Sequence, residues 1–208
     1  MIPFTALLLF FAASLALALA PGPDNIFVLT QSALHGRTAG LLVTLGLCTG
    51  LLVHTTAVAL GVAAIFQTSA VAFLALKAVG AVYLLYLSWL CFRSGASGLT
   101  AQAVTLPGKR ALYARGIVMN VTNPKVAIFF LAFLPQFTDP ARGSLTLQML
   151  TLGAVFMLAT LLVFGGIAWA AGFLGDWLRQ SPRAQLAINR VAGTIFALLA
   201  IRLALSTR

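Results

Sequence analysis

Two charged residues stand where the chain is otherwise apolar, and each directly follows a proline: Asp24 in Pro21-Gly22-Pro23-Asp24 and Lys125 in Asn123-Pro124-Lys125. Asp24 lies 13 residues before Arg37, roughly 20 Å along a helix, and Lys125 lies 10 residues after Arg115, roughly 15 Å. Both therefore fall near the middle of a bilayer, where an Asp or Lys costs at least about 2.5–3.5 kcal/mol and marks a functional site. Proline favours the first turn of a helix, where the dipole is positive. Asp24 suits that place and Lys125 does not, so Lys125 calls for a carboxylate. Asp24 is its expected partner in the empty protein, and a ligand carboxylate its partner when loaded. Such a pair fits a zwitterion, with the ligand carboxylate at Lys125 and free N–H groups and its ammonium at Asp24. Alternatively Asp24 carries a coupled proton, or the two form a structural ion pair; residue types leave these readings open.

Further polar side chains surround the two prolines. Asn25 neighbours Asp24, Gln31 follows it by seven residues on one helical face, and Asn120 and Asn123 share a face three residues apart. Gly46, Gly50 and His54 recur every four residues, placing the imidazole on a small-residue packing face. His54 is thereby a titratable candidate. One such His, one Asp and the scattered Cys48 and Cys91 make no metal-ligand set, and neither a metal nor a cofactor is expected.

The elements that hold these residues follow from composition. Of 208 residues, 61% are hydrophobic and 8% charged, with a mean hydropathy of +1.04, against about 25% charged in soluble domains. A soluble enzyme, a disordered tail and a disulfide scaffold are excluded, leaving an integral membrane protein. No nucleophile–base pairing is arguable, so no enzyme is expected. Net charge is +10, from 13 Lys and Arg against three acids. The cations lie between apolar runs rather than on a basic face with aromatics, so no nucleic-acid partner is expected.

Residues 1–23 carry no charge and read as a retained span rather than a cleaved signal. Residues 38–76 also lack charge; as one helix they would extend about 58 Å, twice a hydrocarbon core. A turn at Gln67-Thr68-Ser69 is expected to divide them. Further spans are expected from after Tyr113 to Phe137, over about 145–174, and from after Arg190 to near the C-terminus, six in all. Arg37, Arg93, Lys109, Arg110, Arg115, Arg179, Arg183 and Arg190 then face one side, and Arg142, Arg202 and Arg208 the other. The positive-inside bias makes the first side cytoplasmic and puts both termini in the periplasm.

The halves resemble each other. Residues 77–87 around Gly80 align with 190–200 around Gly193, Thr44-Leu45-Gly46 with Thr151-Leu152-Gly153, and Pro23-Asp24 with Pro124-Lys125. These glycines are expected at helix contacts. A repeat of three spans must be inverted, a plan of secondary transporters whose site lies at broken helices near the midplane. The predicted fold is all-α: six transmembrane helices in two inverted three-helix repeats. The first and fourth helices break at Pro21-Gly22-Pro23 and Asn123-Pro124-Lys125. One transmembrane domain is expected, with repeat 1 at about 1–93, a cytoplasmic linker at about 94–110 and repeat 2 at about 111–208.

Taken together, several motifs resemble the LysE/RhtB family of amino-acid exporters over about residues 3–205. They are Pro21-Gly22-Pro23, the Gly36-Arg37-Thr38-Ala39-Gly40 turn, Lys77 with Gly80 and Tyr83-Leu84-Leu85-Tyr86-Leu87, Asn120-Val121-Thr122-Asn123-Pro124-Lys125, and Phe129-Phe130 with Phe133-Leu134-Pro135-Gln136-Phe137. The resemblance implies a bacterial inner-membrane exporter of amino acids such as threonine, homoserine, leucine or lysine, driven by protons. Partners would be the amino acid, protons, lipid and, as one candidate assembly, a second copy in a homodimer. Competing readings are a transmembrane thiol-redox carrier, which would use Cys48 and Cys91, and a small-ion exporter of similar architecture.

Overall fold

A computed structural model describes residues 2–20, 22–68, 70–93, 108–171 and 181–205. Expectations about Pro21, Ser69, the linker over 94–107, Arg179 and Arg208, and about the side chains of Lys77 and Arg202, lie outside the described residues.

The described residues are helical and contain no strand. Helix α1 spans Phe4–Leu19 and α2 Pro23–His35, the second starting with Pro23 in its first turn. Gly36 ends α2 with φ of 82°, a left-handed conformation that a side chain would strain. Helices α3 (Arg37–Thr68) and α4 (Ala70–Arg93) follow, flanking the turn expected near Ser69. Helix α5 is Lys109–Val121, and α6 starts at Pro124 and runs as α-helix to Ile128. It then widens into a π-helical turn, Phe129–Phe133, and tightens into a 3-10 turn, Leu134–Phe137. Pro135, in that turn, has no N–H to offer the preceding carbonyls. Helices α7 (Leu145–Trp169) and α8 (Pro182–Leu205) complete the helices of the described residues.

Among the described residues, three stretches are long and apolar enough to cross a membrane: Arg37–Gly61, Leu145–Trp169 and Leu186–Leu205. Two helix pairs pass the same test as broken spans, α1 with α2 at a 64° bend and Lys109–Val121 with Pro124–Phe137 at 49°. The outer surface is correspondingly apolar, with Leu60, Val71, Trp169 and Leu205 each more than 60% exposed. Such a surface suits lipid rather than water.

Inside, α3 packs along α5 and α7, α4 along α8, and α1 against α7 and α8. Fully buried aromatic rings knit the break-bearing helices together. Phe129 and Phe133 lie 4.8 Å apart between ring centres, Phe10 and Phe137 5.2 Å, and Phe130 and Phe156 5.0 Å. The backbones of α3 and α5 approach closely at a glycine pair. A Cβ on Gly46 would overlap the Tyr113 carbonyl, and one on Gly116 the Val43 carbonyl. The other candidate packing glycines also face neighbours: Gly50 faces Asn120, Gly80 faces Ala132, Gly153 faces Thr55 and Gly193 faces Phe92 and Cys91.

This crossing yields a test. Gly116→Val is expected to destabilise the protein by about 1–3 kcal/mol, the usual cost of overpacking. Thermal unfolding in detergent would show it as a clear fall in Tm. Gly166→Ala, whose added methyl meets nothing within 4 Å, is expected to leave Tm unchanged or raise it slightly.

Candidate functional site

The site forms where the two breaks meet. A helix end leaves carbonyls without intrahelical donors, and in hydrocarbon they need protein partners. At the end of α1, side chains supply them. Lys125 Nζ donates to the Leu17 and Ala20 carbonyls, 3.1 Å each, and Asn25 Nδ2 donates to the Ala18 carbonyl at 2.6 Å. The lysine thus sits at the negative end of the α1 dipole, a favourable place for a cation. Gly22 makes room for it: a Cβ there would lie 3.2 Å from Nζ.

At the second break, Asn123 caps α6, its Oδ1 accepting from the Lys125 N–H at 3.0 Å. That bond turns its amide nitrogen outward, and Nδ2 donates to Asp24 Oδ2 at 2.8 Å. One asparagine therefore caps one broken helix and holds the acid of the other. Asp24 is 3% exposed and Lys125 8%.

The direct Asp24–Lys125 ion pair expected from sequence does not form. The carbonyls of Leu17 and Ala20 take Lys125, and Asn123 takes Asp24. The sequence reveals the charges but not where the freed carbonyls of α1 point.

Asp24, Lys125 and Asn120 nevertheless face a common small cavity of about 10 Å³, the space of about one water, together with Thr160. Leu17, Val126, Phe156 and Phe164 wall it. Three buried polar atoms on this lining have no partner: Asp24 Oδ1, Asn120 Oδ1 and Thr160 Oγ1. Asn25 Oδ1, beside Gly22, is a fourth buried atom without one. Gly50 leaves the space that the Asn120 amide occupies.

His54 does not line the cavity. Its Nε2 lies 3.1 Å from the Asn120 carbonyl, which can only accept, so Nε2 carries the hydrogen. It supports the end of α5, its ring 5.8 Å from that of Phe130. Gln31 is also outside the cavity; its Oε1 meets His35 Nδ1 at 3.1 Å near the end of α2. Cys48 on α3 and Cys91 on α4 are free thiols. Among the described residues, no three His, Cys, Asp or Glu gather into a metal-sized group.

Thr160 and Gly116 were not foreseen. A lone threonine in an apolar helix normally bonds its own backbone, and Gly116 lies outside the aligned repeat segments, so neither carries a signal.

Comparison with known proteins now places this architecture. The model of the LysE type translocator family matches residues 15–207. The chain belongs to this family. It is 35% identical over 192 residues, 92% of each chain, to the homoserine/homoserine lactone efflux proteins of Salmonella typhi and Salmonella typhimurium. It is 33% identical over 180 residues, 86% of each chain, to an uncharacterized membrane protein of Vibrio cholerae. No solved structure matches it significantly. As a LysE-type translocator it is a membrane transporter, and the two Salmonella relatives are efflux proteins.

The double role of Asn123 in this translocator is testable. Asn123→Ala removes the α6 cap and a bond to a buried carboxylate, costing about 2–4 kcal/mol together. Asn123→Ser can retain the cap alone and is expected to fall between alanine and wild type in thermal unfolding.

Proposed function

We propose that the chain is a secondary-active, proton-coupled exporter of small amino acids or close derivatives across the bacterial inner membrane. It works by alternating access around the Asp24/Lys125 site. The observation that carries this reading is the buried, unpartnered Asp24 Oδ1 on the same cavity as Lys125. An ammonium has three donors, and Lys125 uses two on carbonyls. The third is available to a ligand carboxylate or lactone carbonyl, while Asp24 Oδ1 and Asn120 Oδ1 are acceptors suited to a ligand ammonium. Homoserine and its lactone, named for the Salmonella relatives, both carry that amine and a carbonyl oxygen.

The wider arrangement supports transport. The two broken pairs, α3, α7 and α8 give five spans, and α4, 24 residues or about 36 Å, makes the sixth. If α1–α4 and α5–α8 are inverted repeats within one domain, α3 corresponds to α7 and α4 to α8. Each packs against its counterpart, and α1 packs on α7 as α5 does on α3, contacts that an internal two-fold produces. Arg37, Arg93, Lys109, Arg110, Arg115, Arg183 and Arg190 then face the cytoplasm, and Arg142 and both termini the periplasm.

Inverted vesicles test the proposal, because export appears there as uptake. Lys125→Ala removes a charge-assisted contact worth about 1.5–3 kcal/mol and is expected to cut labelled homoserine uptake roughly 10- to 100-fold. Asp24→Asn is expected to exchange homoserine at equilibrium yet lose accumulation driven by a proton gradient. Unchanged uptake in Lys125→Ala sinks the site, and full gradient-driven accumulation in Asp24→Asn removes Asp24 from coupling.

A further inference from the structure

Among the described residues, every buried hydroxyl but one donates to a backbone carbonyl. Ser14, Ser32, Thr44 and Thr55 each donate to the carbonyl four residues earlier in their helices. This is the ordinary way to satisfy a hydroxyl in an apolar helix. Ser88 donates to the Gly193 carbonyl and Thr138 to that of Pro135. Thr160 is 1% exposed, yet its Oγ1 has no partner in the protein. Leaving such a group unpaired costs about 1–3 kcal/mol.

Its position explains what could pair with it. Thr160 lines the cavity from α7, with Phe156 one turn before and Phe164 one turn after on the same lining. The other polar lining groups, Asp24, Asn120 and Lys125, come from the two breaks on α2, α5 and α6. The lining thus has a charged end, complementary to an ammonium and a carbonyl oxygen, and an α7 wall of two rings around one hydroxyl. The cavity as it stands holds about one water, so a ligand held at the breaks by its amino-acid head would enter as the helices part and lay its side chain along that wall.

We propose that Thr160 is a specificity-determining residue that hydrogen-bonds an oxygen on the substrate side chain. The chain thereby selects short amino acids bearing a hydroxyl or ring oxygen over aliphatic ones of equal length. This rests on the export reading above and deepens it. An aliphatic side chain would seal the Thr160 hydroxyl away without a partner, the situation in which polar pockets discriminate most strongly.

Homoserine and norvaline form the test pair, since they differ only by hydroxyl against methyl at the same chain length. Initial uptake of each into inverted vesicles is measured for wild type, Thr160→Val and Thr160→Ser. Valine keeps the shape of threonine without its hydroxyl. Wild type is expected to favour homoserine by about tenfold or more, the equivalent of one hydrogen bond. Thr160→Val is expected to bring the ratio near one, chiefly by gaining norvaline transport, and Thr160→Ser to restore the preference. An unchanged ratio in Thr160→Val overturns the proposal while leaving the exporter standing. Equal loss of both substrates also overturns it, placing Thr160 at the shared head or in the packing. Wild-type vesicles that move neither compound overturn the export reading itself, and this inference with it.

Discussion

Carbonyls freed inside an apolar protein must be paired, and the whole centre of this structure follows from that constraint. The α1 helix stops at Leu19 and α2 starts at Pro23, so the last turn of α1 ends deep within the packed helices. Water cannot serve it there at the density that bulk solvent would. Lys125 and Asn25 donate to three of those carbonyls instead. A lysine that looks anomalous at the first turn of its own helix is therefore well placed at the last turn of another. The unfavourable dipole of α6 is offset by the favourable one of α1.

The second break is organised by the first. Asn123 caps α6 with its oxygen and holds Asp24 with its nitrogen, so the start of α2 and the start of α6 are joined through a single side chain. Around this junction the aromatic cluster from Phe10 to Phe156 fills one flank, and the Gly46–Gly116 crossing brings α5 close enough to α3 for His54 to reach the Asn120 carbonyl. Packing of small residues and rings thus fixes the positions of polar groups that have no room to move independently. On the export reading, such a scaffold would expose the same few groups to either side by rocking one set of helices against the other.

Much of this was legible in residue types. Prolines beside lone charges in apolar runs located Asp24, Asn123 and Lys125, because membrane insertion makes such residues costly without a role. Of the glycines at helix contacts, Gly46 and Gly50 were legible from four-residue spacing and Gly80, Gly153 and Gly193 from the aligned halves. What sequence could not supply was direction. Whether Lys125 turns to Asp24 or to the Leu17 carbonyl depends on how α1 and α6 are rotated, and periodicity is silent on that. Gln31 shows the same limit: it shares a helical face with Asp24 in sequence, yet a neighbouring His35 takes its amide away from the cavity. Thr160 was invisible for a different reason, since a threonine announces a site only when its usual backbone bond is missing.

The absence of a direct ion pair matters for how such a site can work. A closed Asp24–Lys125 pair would have to be broken before a zwitterion could bind, and both charges would be desolvated during the exchange. Here Asp24 retains an unpartnered oxygen, and Lys125 a third donor, while their existing bonds stay in place. On the export reading, a ligand would add contacts to the site without removing any. On the export reading, the same Asp24 oxygen is the natural acceptor for a proton when the ligand is gone. It cannot accept both at once, so ammonium and proton exclude each other at one atom. Mutual exclusion at a shared group is the simplest coupling for an exchanger, because each ligand can be loaded only after the other has left.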